Sequence, residues 1–135
     1  MTHTRDEMQA ALKATLVPYL RSVGFRGSLP HFHRVVEDHV DLLTVQYYSA
    51  GSCLLVEISS AKNDGAMEPS KQRVYFHGKR LRLHRETSRN DHWFCYTPYG
   101  MFSPMQEPQE IAEQLRDLVQ AQAEAWWLSQ RALGS

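Results

Sequence analysis

The fold is decided by the stretch Val40-Asp41-Leu42-Leu43-Thr44-Val45-Gln46-Tyr47-Tyr48 and by the stretch that follows it, Cys53-Leu54-Leu55-Val56-Glu57-Ile58-Ser59. Apolar side chains alternate along both stretches, at Leu43, Val45 and Tyr47 in the first and at Leu54, Val56 and Ile58 in the second. A period of two is typical of strands with one buried face. The short segment 49–52 favours a turn, so the two stretches predict an antiparallel hairpin.

Further strands are predicted on both sides of this hairpin, over His31–Glu37, Arg73–Phe76, Lys79–Arg85 and His92–Thr97. The second and third are one strand broken at Gly78 or two separate strands. Short turns between successive strands favour antiparallel pairing, because parallel pairing needs long crossovers.

A helix is predicted near the amino terminus, from about Arg5 to Val23. Thr4 and Glu7 fit a capping box at its start. Pro18 predicts a bend within it, since proline cannot donate to the carbonyl four residues earlier. Gly24 suits a left-handed helix end.

A long helix is predicted from Pro108 to about Ala132, with its apolar stripe at Ile111, Leu115, Leu118, Val119, Gln122 and Trp126. Trp126 and Trp127 cannot both face the sheet, because neighbours on a helix point about 100° apart. One is expected to pack, and the other to lie at a rim or at a homodimer contact through this helix.

These elements predict a single α+β domain over residues 1–135. Its antiparallel sheet of four to five strands is flanked by the N-terminal helix and the long C-terminal helix, both packed on one face. The other face is expected to be partly open. Charged and aromatic side chains on that open face are the first place to look for function.

Charge narrows the classes of partner. Lys and Arg number 15 and Asp and Glu number 15, so the formal net charge is zero. A neutral chain argues against a sequence-blind nucleic-acid binder. The distribution is nevertheless uneven, because residues 68–92 carry a net +4 while residues 1–67 carry −1 and residues 93–135 carry −3. A cationic segment therefore persists within a neutral chain.

Hydropathy and cysteine usage favour a cytoplasmic protein without a membrane partner. No apolar segment approaches the ~20 residues needed to span a bilayer, and the first residues carry no apolar signal-peptide core. Cys53 and Cys95 each lie in an apolar run. The favoured interpretation is two buried free thiols, with a disulfide between them left open.

The segment Lys79-Arg80-Leu81-Arg82-Leu83-His84 alternates cleanly, which predicts Arg80, Arg82 and His84 on one strand face. Two guanidiniums and an imidazole in a row can hold a phosphate or a carboxylate. The alternative is an ordinary solvated face, with the arginines paired to Glu57 or to glutamates of the last helix.

The segment Asp91-His92-Trp93-Phe94-Cys95-Tyr96 is dense in aromatic residues. Trp93 or Tyr96 is a candidate to stack on a ligand or to anchor a partner. The alternative is that one alternating pair, Trp93 with Cys95 or Phe94 with Tyr96, forms the core face. Either way the other face has aromatic residues to spare, which favours an interaction surface.

Metal and catalytic motifs are weak. His31 and His33 share a strand face, with His39 and Asp41 as further ligand candidates, but the chain has no HExxH and no CxxC. We therefore predict no metal site and keep His31 and His33 as weak candidates only. The sequence also lacks a GxSxG elbow and a glycine-rich phosphate loop. It predicts no cofactor, no catalytic residues and no enzyme.

Several segments together resemble an uncharacterised bacterial family, number forty-three-oh-four among the domains of unknown function. They are Leu16-Val17-Pro18-Tyr19-Leu20 with Gly24-Phe25, His31-Phe32-His33-Arg34, the hairpin, Lys79-Arg80-Leu81-Arg82-Leu83, Asp91-His92-Trp93-Phe94 and the C-terminal helix. The resemblance implies an α+β domain without established catalytic residues. Members of this family resemble small partner-binding proteins, such as toxin-neutralising immunity proteins, in size and genomic style. By this analogy alone, the resemblance also implies a partner-binding protein.

The leading hypothesis is a non-enzymatic bacterial binding protein of the immunity type. In it Arg80, Arg82 and His84, with Trp93 or Tyr96, contact an acidic protein partner such as a toxin domain. The alternative is a site for a small anionic ligand or a nucleotide phosphate on the same residues, with hydrolytic activity as an extension of that alternative.

Overall fold

The sheet is built around the predicted hairpin. In the computed structural model, which describes residues 3–48, 52–97 and 105–133, β3 (His39–Tyr47) pairs antiparallel with β4 (Cys53–Lys62). The predicted turn at residues 49–51 lies outside the described residues. On the β3 side follow β2 (His31–Val36) and β1 (Arg26–Ser28), and on the β4 side β5 (Arg80–Arg82) and β6 (Phe94–Cys95). The sheet is antiparallel throughout, which confirms the predicted fold class, and the sequence pattern missed only β1.

The helices lie at the two ends of the described chain. They are α1 (Arg5–Ala14), α2 (Leu16–Ser22), α3 (Pro108–Leu118) and α4 (Glu124–Leu133), with a π-helical turn at Val119–Ala123 between the last two. Short 3₁₀ turns occupy Pro69–Lys71 and Val74–Phe76.

The predicted N-terminal helix is two helices that meet at Thr15. The capping box is present, since the Glu7 amide donates to Thr4 Oγ1 at 3.1 Å and the Thr4 amide to Glu7 Oε1 at 3.2 Å. Pro18 has no N–H for the carbonyl of residue 14, which explains a break one turn upstream of it. Gly24 ends the second helix at φ +101°, as predicted.

The π-helical turn corrects our prediction for the C-terminal stripe. The buried positions Ile111, Leu115, Val119, Ala123 and Trp127 recur every four residues. A regular α-helix repeats every 3.6 residues, so this spacing drifts around the helix unless an extra residue is accommodated, which the i to i+5 bonding of a π turn does. Trp127 is consequently buried, and its Nε1 donates to the Ser59 carbonyl at 3.0 Å. The prediction of Trp126 on the stripe was wrong; it packs at the edge of the core.

Both sheet faces carry apolar clusters, but of different size. The main core lies between the helices and one face, which we call the helix face, and includes Phe32, Leu43, Val45, Leu54, Val56, Ile58, Leu83 and Phe94. The opposite, outer face carries a small cluster of Val40, Leu42, Ala61 and Val74. Val74 comes from the segment between β4 and β5, which crosses part of the outer face. The predicted strand Arg73–Phe76 is thus wrong, since these residues form a turn over the sheet.

Cys53 and Cys95 form a disulfide, which overturns the favoured prediction of two free thiols. They lie directly opposite each other in the β4–β6 pair, with Cα atoms 4.0 Å apart. Both residues are buried. The predicted strands Lys79–Arg85 and His92–Thr97 are shorter than expected, and β6 is held to β4 by this bond rather than by a long ladder.

An ion cluster around the buried carboxylate of Asp41 joins the sheet to the helices. Arg34 on β2 donates to Asp41 on β3 at 2.8 and 3.0 Å and to Glu124 on α4 at 2.6 and 2.9 Å. It also donates to the Val23 carbonyl at the end of α2, at 3.2 Å. Arg131 donates to both oxygens of Asp41 at 2.8 Å. Burial opposes the charge on Arg34, but the hydrogen bonds to Glu124 and Asp41 raise its pKa above the ordinary value.

Replacing Asp41 by Asn is expected to lower the free energy of unfolding by about 3 kcal/mol, because two guanidiniums lose their shared buried carboxylate. Urea titration followed by circular dichroism measures this change. Asp117→Asn, in an exposed pair with Arg116, is the matched control and is expected to change stability by no more than about 0.5 kcal/mol. Equal effects of the two variants would contradict the role of the cluster.

Replacing both cysteines by Ala is expected to cost about 4 kcal/mol, because the disulfide closes a loop with a sequence separation of 42 in the unfolded chain. The measurement is again urea unfolding, with and without a thiol reductant. The difference in the free energy of unfolding between wild type and the double variant should be large without reductant and should mostly vanish when reductant is present. A difference that persists in reductant would assign the loss to core packing instead.

Candidate functional site

A row of polar side chains crosses the outer face of the sheet. His31 pairs with Thr44, Thr44 with Glu57, and Glu57 with Arg82, so one residue from each of β2, β3, β4 and β5 stands side by side. Directly paired residues project to the same face. Arg80 lies on this face too, opposite Ser59. The alternation predicted for Arg80 and Arg82 is therefore confirmed.

Glu57 forms ion pairs with both arginines. Its carboxylate lies 3.4 Å from Arg80 Nη1 and 3.3 Å from Arg82 Nε. The Glu57 side chain is 12% exposed, whereas those of Arg80 and Arg82 are 40% and 49% exposed. The pairing with Glu57 that we weighed as an alternative is thus real. Because one carboxylate faces two guanidiniums, each arginine still has outward N–H groups that a ligand can reach.

A groove opens above this row, and we call it the outer groove. Its volume is about 750 Å³. Its lining includes Arg5, Gln9, Pro30, His31, Thr44, Gln46, Tyr47, Glu57, Tyr75, Arg80 and Arg82. Three arginines against one glutamate leave the lining with a net charge of +2. The groove is therefore an electropositive recess on a neutral protein.

Two further titratable side chains of the outer groove, His31 and Tyr47, have pKa values shifted toward their neutral forms. Burial and the nearby Arg73 lower the pKa of His31, whose Nδ1 lies 3.0 Å from Thr44 Oγ1. Burial raises the pKa of Tyr47 to about 12. The guanidinium of Arg5 lies 4.2 Å from the centre of the Tyr47 ring. The positive charge of the groove thus comes from arginine alone.

Exposed aromatic side chains border the outer groove. Tyr75 is 61% exposed and Phe76 52% exposed, and their rings contact each other edge to face with centroids 4.9 Å apart. Tyr75 also contacts the ring of His31. Tyrosine and arginine are the residue types enriched at the energetic centres of protein interfaces.

His84 does not belong to the row with Arg80 and Arg82, contrary to our prediction. β5 ends at Arg82, and the main chain of His84 is bound instead by Gln122, which donates to its carbonyl at 2.6 Å and accepts from its amide at 3.1 Å. The imidazole lies 2.8 Å from the Arg85 carbonyl. The long C-terminal helix, rather than the sheet, therefore sets the position of His84.

Trp93 and Tyr96 differ in their exposure to solvent. Phe94 and Tyr96 form the core face of their segment, and Tyr96 is fully buried, so the prediction of Tyr96 as a contact residue was wrong. Trp93 is half-buried; its ring contacts those of Tyr48 and His92. His92 links it to Arg82, because His92 Nε2 accepts from Arg82 Nη1 at 3.2 Å.

The weak metal candidates are not brought together with other ligands. His31 and His33 share the outer face, while Asp41 is held by Arg34 and Arg131 on the helix face. His39 lies 2.9 Å from Asp38. Within residues 3–48, 52–97 and 105–133 no group of three His, Cys, Asp or Glu side chains could hold a metal ion.

Arg5 and Tyr75 are the groove residues that our sequence reasoning missed. Arg5 lies on the first turn of a helix far in sequence from the cationic segment, and only the tertiary contact of its guanidinium with the Tyr47 ring shows that it reaches the groove. Tyr75 was assigned to a strand. Its β-branched and aromatic neighbours favour that assignment, and no local signal identifies a turn crossing the sheet.

No family model matches the chain, and no curated protein or solved structure is detectably similar to it. In the part of the chain that the structure describes, no helix has the length and apolar character to cross a bilayer.

Replacing Arg73 by Gln is expected to raise the pKa values of His31 and His33, because the charge of Arg73 helps to lower both. The pKa of His77 is lowered by burial alone, so it serves as the internal control. NMR titration of the three imidazoles measures the shifts. An equal shift at His77 would contradict the role of Arg73.

The pKa values of His31, His33 and His77 in the folded protein lie below 6.5. Because the same histidines take up protons at higher pH in the unfolded chain, their contribution to the free energy of unfolding should fall as the pH drops below about 6.5.

Proposed function

We propose that this chain is a non-enzymatic binding protein that uses the outer groove to bind an acidic segment of a protein partner. The observation that carries the proposal is the pair Arg80 and Arg82, because both side chains are exposed to solvent and both are positioned by ion pairs with Glu57. Anchoring reduces the side-chain entropy that an arginine loses on binding. The exposed aromatic rings of Tyr75 and Phe76 beside the groove favour a protein partner, because they offer apolar contact area next to the charge.

A toxin domain neutralised by this protein is the partner class that we propose within this function. It rests on the sequence resemblance to the bacterial domain-of-unknown-function family, which stays a proposal because no family model matches.

The homodimer through the C-terminal helix also stays a prediction. Leu128 and Leu133 on α4 are 64% and 70% exposed, and Trp127 is engaged in the core.

The cytoplasmic location predicted from the sequence stays a prediction, and the disulfide weighs against it. Disulfides persist mostly in oxidising compartments and are rare in the cytosol of mesophiles. The bond between Cys53 and Cys95 is buried.

A small anionic ligand, such as a phosphorylated metabolite or a nucleotide, is the second candidate function. The volume of the outer groove, about 750 Å³, lies within the range typical of small-molecule sites, roughly 300–1,000 Å³. Thermal stabilisation that rises with the concentration of inorganic phosphate or a nucleotide, and is lost in Arg82→Ala, would favour this candidate.

Selection of a random peptide library on the immobilised protein is expected to enrich sequences rich in Asp and Glu. Their binding should fall by about tenfold or more in the double variant Arg80→Glu, Arg82→Glu, because attraction becomes repulsion. Fluorescence anisotropy of labelled peptides measures the affinity.

The double variant Arg21→Glu, Arg116→Glu is the matched control, since it changes the charge equally on helices outside the outer groove. It is expected to bind as the wild type does. Selected peptides without acidic enrichment, or equal losses in both double variants, would overturn the proposed function.

A further inference from the structure

We infer that the acidic segment binds as an added β-strand along the edge of β3 at Gln46 and Tyr47, just beyond Pro30, with an acidic side chain in the outer groove. This inference rests on the proposed function and specifies its binding mode. Strand addition supplies affinity through main-chain hydrogen bonds and specificity through alternate side chains. Three structural features support it.

The first feature is that β2 stops before β3 does. β2 begins at His31, opposite Thr44, while β3 continues to Tyr47 and stays paired with β4 over this length. The last bond from the β2 side is the Val45 amide to the Pro30 carbonyl, at 2.9 Å. Pro30 has no N–H to donate in return. The Val45 carbonyl therefore loses the partner that a regular ladder would provide.

The second feature is the direction of the main-chain groups of Tyr47. In an antiparallel strand, successive residues direct their N–H and C=O groups to opposite neighbours. Val45 donates toward the β2 side, and Tyr48 donates to Cys53 on β4 at 2.8 Å. Tyr47 must consequently direct its amide and carbonyl to the β2 side. Among the described residues, none pairs with these two groups or with the Val45 carbonyl.

The third feature is the match between this edge and the charge of the outer groove. Val45, Gln46 and Tyr47 all line the groove. A strand residue placed opposite Gln46 would project to the same face as Gln46, which is the outer face that carries Arg80 and Arg82. The adjacent residue, opposite Tyr47, would project to the helix face near Arg5, whereas Pro30 already occupies the position opposite Val45. An extended segment that ends beside Pro30 with an acidic residue opposite Gln46 therefore fits the groove.

The test uses a hexapeptide in which Glu and Val alternate, labelled for anisotropy, and a second copy N-methylated at every other amide on the edge that would face β3. N-methylation removes main-chain donors without changing side-chain charge. It is expected to weaken binding by about tenfold or more. Because only the peptide is altered, folding of the protein is not at issue.

Hydrogen exchange by NMR gives a readout on the protein itself. In the free protein the Tyr47 amide should exchange much faster than that of Gln46, which is directed toward β4. Adding the hexapeptide should slow exchange at Tyr47 and leave Gln46 unchanged.

The outcomes separate the two proposals. Equal binding of both peptides, with no protection at Tyr47, would overturn strand addition while the acidic-groove function stands, provided that Arg80→Glu, Arg82→Glu still abolishes binding. If the peptide binds the charge-reversed variant as well as the wild type, the proposed function itself is wrong. Weaker binding of the N-methylated peptide together with protection of Tyr47 is the result that we expect.

Discussion

Asp41 divides its carboxylate between the guanidiniums of Arg34 and Arg131, and the rest of the structure is arranged around that interaction. Arg34 is the central member, because it also reaches Glu124 on α4 and the carbonyl that ends α2. Its guanidinium lies 4.5 Å from the centre of the Phe25 ring and 5.3 Å from that of Trp127. Charge and aromatic packing together hold both helical ends of the chain on one face of the sheet. The cluster is neutral overall, which makes its burial tolerable.

A carboxylate between two arginines recurs on the opposite face, where Glu57 faces Arg80 and Arg82 without a second carboxylate in the described part of the chain. On the helix face the shared carboxylate of Asp41 is fully buried, and its hydrogen bonds to the two guanidiniums are 2.8 to 3.0 Å long. On the outer face Glu57 lies at more than 3 Å from Arg80 and Arg82, and both arginines face solvent. The cluster on the helix face serves the fold, because every guanidinium nitrogen of Arg34 donates a hydrogen bond within the protein. Arg80 and Arg82 are more exposed and keep outward N–H groups, and this difference makes the outer groove a candidate for binding.

The secondary structure could be predicted wherever one local pattern acted alone. The hairpin followed from alternation, and the helix start at Thr4 and the end at Gly24 followed from local capping. Prediction failed where distant contacts decided the outcome. Trp127 replaced Trp126 in the core because a π turn rephases the helix. The site shows the same division, since Arg80 and Arg82 were predictable from their strand whereas Arg5 reaches the groove only through helix packing.

By itself the sequence determined the helices at the two ends of the described chain, the antiparallel pairing of the hairpin and the cationic character of residues 68–92. These properties depend on neighbours within a few positions, where steric preference and periodicity act directly. Only the tertiary structure decided that Cys53 meets Cys95, that Tyr96 is buried and that the edge of β3 beyond Pro30 has no neighbouring strand among the described residues. These outcomes depend on which segments meet across the sheet. Chain segments far apart in sequence are brought together by burial and pairing of the whole fold, and no local pattern records that choice.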